Sequence, residues 1–127
     1  WEGRLPHRSC PYTSTIVFVA RKGRDFDLND WADLSELKGV RVVAANPKTS
    51  GAAKLGVIAC YGSVITAGGA PADARDRVVR TYRKVSALES SSRAASVTFS
   101  RKGIGDVQLT WENEALMELR ESGGELE

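Results

Sequence analysis

Histidine and cysteine are scarce in this sequence: His7 is the single histidine, and Cys10 and Cys60 are the two cysteines among 127 residues. A structural zinc site takes several closely spaced ligands of these types, so no metal site is expected. The separation of the cysteines matches no redox motif, and one falls in an expected loop and the other in an expected helix, so no bridge between them is expected either. Long apolar runs are also missing. Residues 15–20 are soon followed by Arg21 and Lys22, well short of the roughly 18 apolar residues a membrane-spanning helix requires. No charge sign dominates: 18 Lys and Arg against 16 Asp and Glu leave +2, which offers nucleic acid no strongly basic surface. Walker and dinucleotide glycine patterns are absent, and no cofactor is expected. The chain opens at Trp1 without a methionine or a charged and then apolar leader, so no export signal is expected within it.

What is present suits one soluble domain, with 42% hydrophobic residues in a chain long enough to bury a single core. Residues 1–13, with two prolines and no apolar period, read as a loop or arm. Residues 14–20 are β-branched and aromatic, which predicts a strand. Asn29 or Asp30 can cap a short helix through Trp31, Leu34 and Leu37, ended by Gly39. A strand over 40–45 follows, then the turn formers Asn46-Pro-Lys-Thr-Ser-Gly51 and a helix over 52–65, in which Gly56 and Gly62 suggest close helix-on-sheet packing.

Pro71 suits the first turn of a helix bearing Ala72, Ala74, Val78, Val79 and Tyr82 on its apolar side. A strand over 85–88 leads through Glu89-Ser-Ser-Ser92 into a helix over 93–101, with Ala94, Val97 and Phe99 on its apolar side. Gly103 and Gly105 end that segment, 106–111 reads as a strand, and 112–121 as a helix through Ala115, Leu116 and Leu119. Strands alternating with helices indicate an α/β domain with partly parallel pairing.

The two polar turns, 46–51 and 89–92, both follow strands and precede helices, which places them on one edge of such a sheet. A helix start leaves its first amides without partners and carries partial positive charge, so two starts at one edge can hold an anion without cationic side chains. Thr49-Ser50-Gly51 is one candidate, with a hydroxyl from Ser50 and a backbone bared by Gly51. Ser90-Ser91-Ser92-Arg93 is the other. Trp111 adds an indole donor at a strand end. The alternatives are that these serines only cap their own helices and that Trp111 is a core aromatic. Glu112 and Glu114 read as acids at a helix start rather than a catalytic pair, and no histidine stands near the serines in sequence to activate a nucleophile, so no enzyme is expected.

Three segments carry a resemblance: Ser-Cys-Pro-Tyr-Thr-Ser-Thr-Ile-Val-Phe (9–18), Asn-Pro-Lys-Thr-Ser-Gly (46–51), and Gly-Ile-Gly-Asp-Val (103–107) running into Trp-Glu-Asn-Glu-Ala (111–115). Together they resemble the bacterial periplasmic sulfate- and thiosulfate-binding proteins, the solute-binding subunits of ABC importers. The resemblance implies a type II periplasmic-binding-protein-like fold, a central mainly parallel sheet flanked by helices, of which this chain carries the second lobe. It implies hinge strands near 14–20 and 106–111, an arm at 1–13 from the other lobe, and an anion-binding lobe over 14–127.

By the same resemblance, Ser50 would contact the anion through its hydroxyl, Gly51, Ala52 and Ser92 through their amides, and Trp111 through its indole, while Arg93 would brace its loop. The family favours glycine where Ala52 stands and Gly-Ala-Arg where Ser91-Ser92-Arg93 stands. Sulfate or a related tetrahedral oxyanion is the implied ligand, an ABC permease the implied partner, the periplasm the implied compartment, and self-association through exposed hinge surface a further expectation. The alternative function is a free-standing α/β interaction or sensor module with a vestigial anion site.

Overall fold

The strands of this protein are four or five residues long; polar or glycine-containing segments lead from the first three toward helices, and the last passes directly into one. The computed structural model describes Cys10 and residues 13–127. The arm expected over 1–13 therefore lies outside the described residues, apart from Cys10 and Thr13, both exposed.

In chain order the elements are β1 (Ile16–Ala20), α1 (Trp31–Glu36), β2 (Val42–Ala45), α2 (Gly51–Thr66), α3 (Pro71–Tyr82), β3 (Val85–Glu89), α4 (Ser92–Ser96), a π-helical turn (Val97–Arg101), β4 (Val107–Trp111) and α5 (Glu112–Glu121). The strands form one sheet in the order β1-β4-β2-β3, with β2 parallel to both β3 and β4 and β1 antiparallel to β4. This is the mainly parallel α/β sheet expected. Its consequence for function is directional: β2, β3 and β4 all point the same way, so their carboxyl ends share one edge.

Both faces of the sheet are covered. Ala20, Val42, Ala44, Val107 and Leu109 meet Leu34 of α1 on one face, while Val19 and Val43 meet Ala95, Phe99, Ala115 and Leu126 on the other. Alternation along β2 and β4 sends neighbouring residues to opposite layers. Leu34 and Phe99 are fully buried, each contributing about 1.5–3 kcal/mol by removal from water. Of the two candidate caps, Asn29 and Asp30, it is Asp30 that begins α1: its carboxylate accepts the amides of Ala32 and Asp33, and Asp33 returns a carboxylate to the Asp30 amide.

The amino ends of β2 and β4 are clamped by a charge. Asp106 accepts hydrogen bonds from the Arg41 amide at 2.9 Å and from its guanidinium at 3.2 Å, and pairs with Arg24 at 2.7 Å. Burial by itself would push the Asp106 carboxyl up, but the hydrogen bonds from Arg41 and the charges of Arg24 and Arg41 outweigh it and hold the group below its ordinary 3.8. Beside it Gly105 has φ +83°, and a Cβ there would come within 2.5 Å of Val43 Cγ2. Both observations require glycine.

Four helix-face expectations are corrected. Within α3, Val79 is exposed while Ala74 and Thr81 are buried. Within α5, Leu116 is 51% exposed, and Glu118 is buried instead, accepting a hydrogen bond from Ser100. In α4 and the π turn the buried residues are Ala95, Ser96, Thr98 and Phe99, because Ser96 and Thr98 find inward partners in Gln108 and Glu89. Gly62 faces open space and Gly56 has only the Tyr82 hydroxyl of α3, at 3.7 Å, where a Cβ would stand, so neither marks close packing of α2 on the sheet.

Candidate functional site

The two turns at the carboxyl ends of β2 and β3 are tied to one another before any ligand is considered. The Asn46 amide donates to the Glu89 carbonyl at 2.7 Å and the Thr49 hydroxyl to the Ser90 carbonyl at 2.7 Å. Asn46 also shapes its own turn, its carbonyl accepting the Thr49 and Ser50 amides and its side chain the Lys48 amide. The parallel register of β2 with β3, Ala45 opposite Glu89, brings the helix starts side by side.

The serines divide their roles in a way the spacing does not reveal. Ser91 is the N-cap of α4, and its hydroxyl accepts the Ala94 amide at 3.2 Å. Ser50 occupies the N-cap of α2 but makes no capping hydrogen bond with its side chain. Instead its hydroxyl oxygen lies 3.5 Å from that of Ser92, the first residue of α4. Among the described residues the amides of Gly51, Ala52 and Ala53 at one start, and of Ser92 and Arg93 at the other, have no partner, because the first helical and capping bonds are those made by Lys54, Ala94 and Ala95. The capping alternative thus holds for Ser91 and fails for Ser50.

Gly51 is exposed, and a Cβ placed there meets nothing within 4 Å, so its backbone is bare toward solvent rather than packed against the chain. Ala52 is half-buried and lines a small cavity with Ser92, Ala45, Tyr82 and Thr110. No charged side chain lines that cavity among the described residues. Arg93 pairs with Glu114 of α5 at 3.7 Å. Trp111 is half-buried at the last position of β4, and among the described residues its indole N–H has no hydrogen-bond partner. The structure thus brings the Ser50 and Ser92 hydroxyls together and lines one cavity with Ala52 and Ser92, while Ser50, Gly51 and Trp111 are not among the residues that line it, Trp111 standing at the end of β4.

Two polar groups at this place were not anticipated as part of it. Tyr82 reaches from α3 toward the Ala53 carbonyl at 3.5 Å, and burial, with a smaller contribution from nearby Cys60, pushes its phenol up to about 12, so it remains a neutral hydroxyl. Thr110 is 2% exposed, and among the described residues its hydroxyl has no partner. Nothing in the local pattern marks either: Tyr82 reads as the apolar end of a helix and Thr110 as an ordinary strand residue. The assembly can present neutral donors, amides and hydroxyls, to a small anion.

The chain matches the family model described as bacterial extracellular solute-binding protein over residues 2–126. It is 44% identical over 124 residues to the sulfate-binding protein of Escherichia coli strain K12, covering 97% of this chain and 37% of that protein. It is 44% identical over 123 residues to the thiosulfate-binding protein of Pseudomonas aeruginosa, with the same coverage of each. Its fold is similar to that of the sulfate-binding protein SubI from Mycobacterium tuberculosis H37Rv, with a TM-score of 0.82 and 29% identity over 100% of this chain and 43% of that one. The chain therefore spans little more than a third of the length of these curated relatives. With a family match that runs nearly end to end and an α/β fold shared with a solved sulfate-binding protein, the chain belongs to the bacterial extracellular solute-binding proteins.

Proposed function

We propose that this chain forms one side of a pocket for sulfate or a related tetrahedral oxyanion, in a periplasmic solute-binding protein that delivers its ligand to an ABC permease. The observation that carries the reading is the approach of Ser50 Oγ to Ser92 Oγ at 3.5 Å, with the unpartnered amides of two helix starts around them. Ser50, Gly51, Ala52, Ser92 and Trp111 are the contacts. A fully ionised oxyanion needs donors alone, and donors that are neutral hold it without the cost of burying a counter-charge. Hydrogen phosphate brings a proton that needs an acceptor; amides and an indole offer none and only the serine hydroxyls can accept, so it is held less well than sulfate.

In this reading residues 14–127 are the anion-binding lobe, β1 and β4 are its hinge strands, and 1–13 is an arm from the other lobe. The pocket is completed by that lobe, which supplies further donors and expels water. The anion is held and released without chemistry. Self-association through the outer edge of β1 belongs to the same reading: among the described residues, that edge pairs only near its end, where Ala20 and Lys22 bond to Glu127 and Glu125.

The test is a melting series of the chain in sodium sulfate, with sodium chloride at equal ionic strength as the control. A half-built site should raise the melting temperature only as sulfate exceeds about millimolar, following the mass-action form of ligand stabilisation. Identical curves in the two salts up to about 50 mM would overturn the oxyanion reading.

A further inference from the structure

The Ser50 and Ser92 hydroxyls differ in one chemical respect from the amides and the indole around them. An N–H only donates, whereas a hydroxyl donates one proton and can accept through two lone pairs. Among the described residues, no helix amide engages the lone pairs of these two serines. Ser50 makes no capping bond with its side chain, and the cap of α4 is Ser91, whose hydroxyl accepts from Ala94. Ser50 is 8% exposed, so water has little access to it, and it stands at the start of the 16-residue helix α2.

The two oxygens meet at 3.5 Å, and either can be the donor in that contact. Whichever way the protons run, the pair acts as a unit with one proton left to give and lone pairs left to accept with. The acidic side chains near these turns are engaged elsewhere: Glu89 accepts from Thr98, and Glu114 pairs with Arg93. The serine oxygens are therefore the acceptors that a proton on the ligand would meet.

Resting on the oxyanion reading above, we propose that this hydroxyl pair extends the ligand class to singly protonated tetrahedral oxyanions such as hydrogen phosphate, with Ser92 as the specificity-determining residue. Ser50 gives its proton to the ligand, Ser92 gives its own to Ser50, and the oxygen of Ser92 accepts the proton that the ligand carries. Sulfate has no such proton. It meets the same pair as a donor alone and stays the tighter ligand, because a hydroxyl is a weaker acceptor than a carboxylate.

The test is an NMR titration of the full chain, nitrogen-labelled, with the Gly51, Ala52 and Ser92 amide resonances followed as sodium sulfate, selenate or phosphate is added at constant ionic strength. A mildly alkaline buffer makes phosphate a dianion bearing one proton, equal in charge to sulfate and selenate. Selenate is a larger oxyanion than sulfate and carries no proton, so it controls for size. The parent chain should take up all three, phosphate about tenfold more weakly than sulfate. Ser92→Ala should weaken sulfate and selenate by about threefold, as the donor behind Ser50 is lost, and phosphate by about thirtyfold. Ser92→Thr keeps a hydroxyl and should hold the ratio of sulfate to phosphate affinity within about twofold of the parent. Three outcomes overturn the role of Ser92 while leaving the oxyanion reading standing: a parent that takes up sulfate and no phosphate, a Ser92→Ala variant in which all three anions weaken alike or not at all, and a ratio that widens equally in Ser92→Thr. A joint loss of phosphate and selenate in Ser92→Ala also overturns it, because Ser92 would then be reading size. If the parent takes up none of the three, the oxyanion reading itself falls, and that outcome appears before any substitution.

Discussion

Ser50 Oγ stands 3.5 Å from Ser92 Oγ although 42 residues separate them in the chain, and neither hydroxyl caps its own helix. Serine at an N-cap normally accepts an amide of the first turn, so a serine that leaves those amides bare is available for something else. The contrast with Ser91, which does cap α4, makes the division of labour measurable.

Ser50→Ala should lower sulfate affinity by roughly tenfold to a hundredfold, the worth of a hydrogen bond to a charged ligand, and should change unfolding free energy by less than about 0.5 kcal/mol because no cap is lost. Ser91→Ala should do the reverse, costing about 1 kcal/mol of stability. Urea titration and calorimetry on both variants check the pair. Equal stability losses in the two would show that Ser50 caps after all.

The Asp106 clamp predicts a pH dependence. Because the folded-state carboxyl titrates below its ordinary 3.8, its stabilisation is fully present above that value and is lost as pH falls through the lower, folded-state value. Asp106→Asn should cost about 2 kcal/mol near neutrality, at the low end for a broken pair because Arg24 and Arg41 are themselves half-exposed. The gap between the parent and the variant should narrow below about pH 4. Stability measured from pH 7 to pH 2 would contradict this if the gap stayed constant.

Gly105→Ala should be among the most damaging single-methyl changes available. The added Cβ meets Val43 Cγ2 at 2.5 Å and the backbone is left-handed, φ +83°. Together these should cost about 2–4 kcal/mol. Gly103→Ala, at φ +70° with open space around it, should cost only the backbone part, about 1 kcal/mol. Denaturant midpoints of the two variants separate steric overlap from conformation.

Trp111→Phe removes an indole N–H that has no partner within the described residues while keeping an aromatic ring at the end of β4. Sulfate affinity should fall by about tenfold with the melting temperature little changed. A large loss of stability without loss of affinity would return Trp111 to the role of a core aromatic.

Much of the order of elements was legible in the chain because its signals act over a few residues. The Asp30 capping box, Pro71 at a helix start and the polar run 46–51 each specify a local conformation without distant help. Helix faces were less legible where polar residues turned inward. Leu116 was expected in the core, yet it is 51% exposed, while Glu118 is buried and accepts a hydrogen bond from Ser100. Hydrophobicity alone cannot register a partner that arrives from another element.

The same boundary runs through the site. Small residues and serines at two helix starts, and the expectation that both lie at one sheet edge, follow from periodicity and turn chemistry. Which serine caps its helix and which does not emerged only with the tertiary structure, in which β3 pairs parallel to β2, the helix starts stand side by side and Ser50 meets Ser92 across them. Thr110 and Tyr82 entered the site for the same reason: a cavity is a property of several elements packed together, and no window of sequence contains one.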